Sequence, residues 1–327
     1  MSTRREFIAL LGGAAVAWPL AAGAQQPAMP VIGFLSSRSP EDSESAVAGF
    51  RKGLSEGGLI EGGNVLLEFR WARGEYDRLP SLAADLVNQG VTVFVAAGGE
   101  ASALTAKAAT STIPILFISS DPVKSGLVTS LSRPGGNATG FHFITTDLES
   151  KRLGLLHELF PSTAIFGGLV NPKSPPASAQ AAEIGEAARK LGRTVILLNA
   201  STEFELDAVF ESLSQRHVTA MLVAADPFFD TRRDQLITLA AKYSVPTIYP
   251  MRAFALAGGL MSYGTSASEA YHQVGIYAAK IVNGAKPAEL PVMQSIKFEQ
   301  VINLKTARML GFEFPPTFSA RADEVIE

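Results

Sequence analysis

Polar or glycine residues follow several apolar runs of the sequence, and they are the residues best suited to bind a ligand. The apolar run 115–118 ends in Ser119, Ser120 and Asp121, two hydroxyls and a carboxylate. These groups can form hydrogen bonds with a small molecule and can attract a cation. The corresponding positions after the other runs are Ser36 and Ser37, Gly98 and Gly99, Asn171, Asp226 with Phe228, and Tyr249. Together they offer the mixed polar and aromatic chemistry of a small-molecule site.

Several of these residues also have a purely structural interpretation. Asp121 and Asp226 each precede a proline, and Asp-Pro is typical of a helix start, so Asp121 is predicted to cap a helix of its own. The serines before Asp121 can equally be ordinary loop residues. Phe228 is favoured as a core residue over a wall on which a ligand stacks. The glycine pair 98–99 permits either close approach of a ligand or a simple turn.

No pattern typical of an enzyme accompanies these residues. Segment 53–57, "GLSEG", matches the nucleophile elbow, which needs a strand before it and a helix after it. Here a helix predicted from about Glu41 runs into the segment, so Ser55 is not expected to be a nucleophile. The four histidines lack metal-ligand spacing and the chain has no cysteine, so neither a metal nor a cofactor is predicted. An exported α/β enzyme acting on a small metabolite stays the less favoured alternative.

The elements that carry these residues alternate between β-rich apolar runs and segments with helical periodicity. Runs such as "VTVFVAAG" and "IPILFISS" are apolar on both faces, which is typical of parallel strands covered by helices on both sides. The pattern occurs twice, at an offset of about 130 residues. The sequence therefore predicts an α/β protein with two similar halves. The carboxyl ends of its strands, where the polar residues lie, are the usual ligand-binding edge of such sheets.

Composition and the first residues indicate where the protein works. The chain has 327 residues, is 47% hydrophobic and carries a net charge of -3 without a basic stripe, which argues against nucleic acid as a partner. Residues 1–24 are predicted to be a cleavable export signal, in which Arg4 and Arg5 resemble a twin-arginine motif. Without cysteine there is no acceptor for a lipid anchor. We therefore expect a freely diffusing periplasmic protein.

Longer stretches of the sequence resemble a known family. The segments "STIPILFISSDPVKSGLVTSLSRPGGNATG", "EGGNVLLEFRWARGEYDRLPSLAADLV" and "VINLKTARMLGFEFPP" are similar to ABC-transporter substrate-binding proteins of the group that includes tryptophan-binding members. The resemblance implies a type I periplasmic-binding-protein fold, with two Rossmann-like lobes, a hinge of three crossings and a ligand cleft between the lobes. The N-terminal lobe is predicted as residues 29–141 plus 264–297, and the C-terminal lobe as residues 142–263 plus 298–327.

The resemblance also implies a function and a site. The ligand is expected to be an aromatic amino acid or a related small carboxylate, delivered by a monomeric protein to a membrane permease. A ligand sensor for a signalling partner is the alternative that shares the same cleft. The cleft loops of the family fall on Ser36, Ser37, Gly98, Gly99, Ser119, Ser120, Asp121, Asn171, Asp226, Phe228, Tyr249 and Tyr263, with Asn137 and Thr139 close to the first crossing.

Specific roles are expected for some of these residues. Hydroxyls and backbone donors would hold the ligand's carboxylate, and Asp226 would meet its ammonium group. Phe228, Tyr249 or Tyr263 would cover an apolar body. The family's lipid-anchor cysteine is missing, and the loop "AADPFFDTRRD" need not keep an amino-acid specificity.

Overall fold

The computed structural model of the protein describes residues 29–143, 148–294 and 297–327. The predicted export signal, residues 1–24, lies outside these ranges.

The chain forms two successive α/β units and a shorter third segment. The first unit contains β1 (Val31–Ser36), α1 (Glu44–Glu56), β2 (Leu66–Trp71), α2 (Leu79–Asn88), β3 (Val93–Ala97), α3 (Glu100–Ala109), β4 (Ile115–Ser119) and β5 (Ala138–His142). The second contains α4 (Leu148–Leu159), β6 (Ile165–Val170), α5 (Ala177–Lys190), β7 (Thr194–Asn199), α6 (Glu203–Ser212), β8 (Ala220–Val223), α7 (Pro227–Thr231), α8 (Arg233–Lys242), β9 (Thr247–Tyr249), α9 (Arg252–Leu256) and β10 (Met261–Thr265). The third contains α10 (Ala267–Val282), β11 (Met293–Gln294), β12 (Phe298–Asn303), α11 (Leu304–Met309), α12 (Pro316–Ser319) and β13 (Glu324–Ile326).

The strands form two sheets with the same internal order. The first sheet runs β11-β5-β4-β3-β1-β2 and the second runs β13-β12-β10-β9-β8-β6-β7. Neighbouring strands pair in parallel, apart from the antiparallel pair β10 and β12. We call the first sheet with α1, α2, α3 and α10 the N-terminal lobe, and the second sheet with its helices the C-terminal lobe. The predicted α/β class with two matching lobes is confirmed.

Burial explains why the strands are apolar on both faces. β3 and β4 are buried along their whole length. On β1, Phe34 contributes to one apolar core of the N-terminal lobe and Leu35 contributes to the core on the other side of the sheet. Successive strand residues point to opposite faces, so a sheet with two covered faces needs apolar residues at every position. The helices must therefore lie on both sides.

The chain passes between the lobes three times. It leaves the first sheet after β5, returns with α10 after β10, and leaves again between β11 and β12. β5 ends at His142 and β10 ends at Thr265. The strands thus continue slightly beyond positions 141 and 263, where the sequence placed the first two boundaries. The predicted residue boundaries of the lobes stay a prediction.

Glycines allow α10 to pack closely on α1. A Cβ atom at Gly53 would lie 2.0 Å from the backbone oxygen of His272, and one at Gly275 would lie 2.2 Å from the backbone oxygen of Phe50. Such contacts are too short for any residue larger than glycine, and the clashing atoms belong to backbone that cannot rotate away. The close helix pair fixes α10 to the N-terminal lobe although it follows the C-terminal sheet in sequence.

We expect Gly53→Ala to lower the free energy of unfolding by about 2 kcal/mol, because its methyl group would force α1 and α10 apart. Gly185→Ala is the matched control, since Gly185 lies within α5 and a Cβ there would meet no atom within 4 Å. The control should be neutral or stabilise by up to about 1 kcal/mol, because alanine favours the helix. Urea unfolding measures the free energy of unfolding of both variants. Equal effects of the two changes would contradict this packing argument.

Candidate ligand site between the lobes

A cavity lies between the two lobes, at the carboxyl ends of strands from both sheets. Its walls are formed by Arg38, Tyr76, Gly98, Gly99, Glu100, Ala101, Ile118, Ser119, Ser120, Phe143, Ala267 and Tyr271 of the N-terminal lobe, and by Ser174, Pro175, Pro176, Ala225, Asp226, Pro227, Asp230 and Met251 of the C-terminal lobe. The space open to the centre of a water molecule is about 80 Å³. This is room for a small molecule rather than for a polymer chain.

The loop after β3 is held against the cavity by hydrogen bonds to both sides. Ser37 Oγ donates to the Gly98 carbonyl oxygen at 2.7 Å, and the Gly98 N–H donates to Tyr271 Oη at 3.0 Å. Gly98 has a φ of +79°, and a Cβ there would lie 2.6 Å from Ser37 Oγ. Only glycine fits this conformation and this space. The loop is therefore built to bring backbone close to the cavity.

Glu100 is a buried carboxylate in the cavity wall, with 8% of its surface exposed. Its Oε2 atom accepts hydrogen bonds from Ser119 Oγ, from the Ser120 N–H at 3.0 Å and from Ser120 Oγ at 3.3 Å. Its Oε1 atom is buried and has no hydrogen-bond partner within the part of the chain that the structure describes. The two serine hydroxyls at the end of β4 thus position a carboxylate.

Asp226 is the carboxylate of the opposite wall, and its oxygens are already engaged. It accepts from the Phe228 N–H at 3.0 Å at the start of α7, from Asn171 Nδ2 at 2.8 Å and from Tyr76 Oη at 2.6 Å. Burial raises the pKa of Asp226, while these hydrogen bonds oppose the rise. Burial, with the nearby Asp226 charge, also raises the pKa of Tyr76 well above its usual value. The tyrosine belongs to the N-terminal lobe, so this hydrogen bond joins the lobes.

An ion pair forms a second connection between the lobes. Arg38 Nη2 lies 2.6 Å from Asp230 Oδ2, and the two side chains are 14% and 7% exposed. Burial raises the pKa of Asp230 to about 6, although Arg38 acts in the opposite direction. Asp42 and Arg233 form a further pair across the lobes at 3.4 Å. The cleft is therefore closed by charged and hydroxyl groups of the chain itself.

The predicted site residues fall into three groups. Those that line the cavity are Gly98, Gly99, Ser119, Ser120 and Asp226. Those that lie behind it and hold the lining loops are Ser36, Ser37 and Asn171: Ser36 Oγ accepts from the Arg38 N–H at 3.1 Å, and the other two bind Gly98 and Asp226. Those outside its wall are Asp121, Asn137, Thr139, Phe228, Tyr249 and Tyr263.

Asp121 does not begin a helix, which corrects the sequence-based prediction. The segment that follows it forms a single turn, in which Asp121 Oδ1 accepts from the Lys124 N–H at 3.1 Å and its carbonyl oxygen accepts from the Ser125 N–H at 3.0 Å. Gly126 then adopts a left-handed conformation with a φ of +77°. This conformation ends the turn before a helix can propagate. The carboxylate serves the turn.

Asn137 and Thr139 lie away from the cavity because of the direction of β5. Asn137 immediately precedes β5 and so lies at the amino edge of the parallel sheet, opposite the cavity. Its side-chain amide donates to the Ile113 carbonyl oxygen at 2.8 Å. Thr139 Oγ1 donates to the Leu290 carbonyl oxygen at 2.7 Å. Both side chains hold neighbouring backbone in place.

The three aromatic candidates are packed within the C-terminal lobe. Phe228 is 4% exposed and lies in an apolar core. Tyr249 stacks on Phe254 with ring centres 4.6 Å apart, and Tyr263 stacks on Phe298 at 6.2 Å. Core packing was the favoured alternative for Phe228. The aromatic and apolar side chains that do line the cavity come from other elements, such as β4 and α10.

Several cavity residues were not predicted. Among them are Arg38, Tyr76, Glu100, Ile118, Phe143, Ser174, Asp230, Met251 and Tyr271. Arg38 and Glu100 directly follow predicted strand-end pairs, and Asp230 lies one helical turn after Asp226, so extending each loop by a few residues would have included them. Tyr76 and Tyr271 reach the cavity from a 3₁₀ helix and from α10, and nothing in their local sequence indicates this.

The described residues contain neither a metal-binding cluster nor a membrane-spanning helix. Within them no group of three or more His, Asp or Glu side chains could hold a metal ion. No helix among them is long and apolar enough to cross a membrane.

Comparison with known proteins identifies the family. The chain is 26% identical over 273 residues to a tyrosine-binding protein of Clostridioides difficile (strain R20291), covering 83% of this chain and 77% of that protein. The structure matches an ABC domain in complex with L-Trp from Streptococcus pneumonia with a TM-score of 0.83 and 25% identity. It matches the ligand-free, open structure of a substrate binding protein with adhesive properties from Clostridium difficile with a TM-score of 0.65 and 25% identity. Each structural match covers 91% of this chain and 99% of the other.

The matches to single proteins agree with a match to a whole family. The family model for ABC transporter substrate binding proteins covers residues 31–326, nearly the entire described chain. The sequence-based resemblance to this family is thereby confirmed: the chain belongs to the ABC transporter substrate binding proteins.

Proposed function

We propose that this protein is the extracytoplasmic solute-binding component of an ABC importer. It captures an aromatic amino acid or a related small carboxylate by closing its lobes and delivers the ligand to a membrane permease. The observation that carries the proposal is the cavity between the lobes, at the strand ends of both sheets. Membership of the substrate-binding family supports the partnership with a permease. The predicted export signal and an expected monomeric state fit the same role.

The cavity offers suitable groups for each part of such a ligand. α3 begins at Glu100 without a side-chain cap, so its first N–H groups are available to hold a carboxylate. Ile118, Phe143 and Met251 supply apolar surface for an aromatic body, in place of the aromatic residues that the sequence suggested. The relatives named as tyrosine-binding and as a complex with L-Trp support the same ligand class.

Closure by a hinge is supported by the contacts between the lobes and by the comparison with solved structures. The TM-score is 0.83 against the L-Trp complex but only 0.65 against the ligand-free, open structure, at the same sequence identity and coverage. The lobes here therefore have the arrangement expected for the closed form. A ligand that contacts both walls binds the closed form more tightly than the open form and shifts the population toward it.

The enzyme alternative is less favoured. A serine nucleophile needs a base positioned at its hydroxyl, and the histidine near the cavity does not meet this need. His142 Nε2 lies 2.8 Å from the Ser120 carbonyl oxygen rather than from its hydroxyl. A ligand sensor would use the same cavity and differ in the protein that recognises the closed form.

We expect purified protein to bind L-tryptophan or L-tyrosine saturably in calorimetry and to become more compact on binding. Small-angle scattering measures the compaction, because closure reduces the radius of gyration. A panel of the common amino acids and aryl carboxylates extends the search. Absence of binding across this panel would contradict the proposed ligand class, and binding without any compaction would contradict the closure.

We expect Tyr76→Phe to weaken the binding of L-tryptophan by about tenfold. The change removes a hydrogen bond to the buried Asp226 carboxylate that forms only when the lobes meet, and such bonds contribute about 1.5–3 kcal/mol. Tyr277→Phe is the matched control, since Tyr277 Oη donates at 3.0 Å to the Pro291 carbonyl oxygen, within the N-terminal lobe. Calorimetry measures the affinity of both variants for L-tryptophan. The proposed role of Tyr76 requires Tyr76→Phe to bind it more weakly than Tyr277→Phe does.

We expect the pH dependence of stability to change in Asp230→Asn. Because burial raises the pKa of Asp230 to about 6, the folded protein binds a proton there more readily than the unfolded chain. This group's contribution to the free energy of unfolding therefore falls as pH rises from about 4 to 6, by up to about 3 kcal/mol. Urea unfolding from pH 4 to 7 should show this slope reduced in Asp230→Asn and retained in the exposed control Asp207→Asn. An unchanged slope in Asp230→Asn would refute the assignment.

A further inference from the structure

The charged side chains of the cavity wall differ in whether their polar atoms have hydrogen-bond and ion-pair partners. Arg38 is the cationic side chain of the wall, and its guanidinium pairs with Asp230. Asp226 accepts three hydrogen bonds from protein donors. Glu100 Oε1 and Asp230 Oδ1 are both buried without a hydrogen-bond partner among the described residues, but Asp230 has Arg38 as its counter-charge. All donors to Glu100 approach Oε2, and none of them is a cation. Among the described residues of the wall, Glu100 is therefore the carboxylate that has no cationic partner and one oxygen without a donor.

We propose that Glu100 Oε1 binds a cationic amine of the ligand and that this contact restricts the site to amine-bearing compounds. The inference rests on the proposed capture of a small ligand between the lobes. It narrows the proposed ligand class, because a carboxylic acid without an amine would not bind tightly. A buried carboxylate oxygen without a donor is costly, and an ammonium group supplies both a donor and the opposite charge.

The surrounding contacts explain why Glu100 is suited to this role. Ser119 and Ser120 hold Oε2, which fixes the orientation of the carboxylate and leaves Oε1 as the free acceptor. Ser119 ends β4, Ser120 follows it directly, and Glu100 begins α3, so the carboxylate is held by regular elements of the N-terminal lobe. A site whose supporting groups are fixed in advance loses little freedom when the ligand binds.

The same contacts argue against the residue that the sequence favoured for this role. Asp226 was expected to meet the ammonium group, but Tyr76, Asn171 and the start of α7 occupy its oxygens. An amine could approach Asp226 only by displacing one of these donors. A metal ion is also a poor candidate for Glu100, because the described residues offer no cluster of three carboxylate or histidine ligands.

The test combines changes in the protein with changes in the ligand. L-Tryptophan, tryptamine and indole-3-propionate share an indole side chain, and the last of them lacks the amine. Calorimetry should show wild-type protein binding the first two at least tenfold more tightly than indole-3-propionate. Glu100→Gln should weaken L-tryptophan and tryptamine by about 10- to 100-fold, the usual range for loss of a charged hydrogen bond, and leave indole-3-propionate unchanged.

A matched variant separates this role from a general effect of removing a buried charge. Glu183 is a partly buried carboxylate of the C-terminal lobe that also has an unpartnered oxygen, but it lies outside the cavity wall. Glu183→Gln should leave all three affinities unchanged. A Glu100→Gln variant that weakens the three compounds equally has only a structural role, which overturns the inference.

The remaining outcomes distinguish this inference from the proposed function. If wild-type protein binds indole-3-propionate as tightly as L-tryptophan, the amine is not recognised; the inference then fails while the proposed function stands. This comparison of ligands uses only wild-type protein, so it tests recognition of the amine even if Glu100→Gln does not fold. If wild-type protein binds none of the three compounds and no member of a panel of amino acids and amines, both the inference and the proposed ligand class are overturned.

Discussion

Where the two lobes meet, charged groups of both are removed from water, and this desolvation is the constraint on which the site depends. Asp226 and Asp230 on the C-terminal side are buried when the lobes meet, and each finds a partner on the N-terminal side, Tyr76 and Arg38. Breaking either contact while the lobes stay closed would leave a buried carboxylate short of a partner. Polar contacts between the lobes thus help to specify the arrangement seen here.

The architecture was accessible from the sequence because it follows from short-range patterns. Continuous apolar runs identify strands with two covered faces, and β3 and β4 are buried throughout as this pattern requires. The repetition of strands and helices predicts two lobes of like order, and the sheets have that order. In a parallel sheet the carboxyl ends of the strands share one edge. This rule alone led to Gly98, Ser120 and Asp226, which line the cavity.

The remaining parts of the site depend on partners that are distant in sequence. The hydroxyls of Ser119 and Ser120 were expected to face a ligand, but whether they do so depends on Glu100, which α3 places beside them. Tyr76 reaches Asp226 across 150 positions of sequence, and no local pattern encodes that meeting. Aromatic residues near strand ends are equally uninformative, since Tyr249 stacks within the core on Phe254.

The glycine contact between α1 and α10 has a mechanical meaning for the whole molecule. α10 follows β10 of the other lobe in sequence, yet it touches α1 too closely to slide, and its Tyr271 supports the loop at Gly98. α10 and the loop at Gly98 therefore belong to the same rigid unit as the rest of the N-terminal lobe. In the proposed closure, the joint between the lobes would therefore lie outside the contact between α1 and α10.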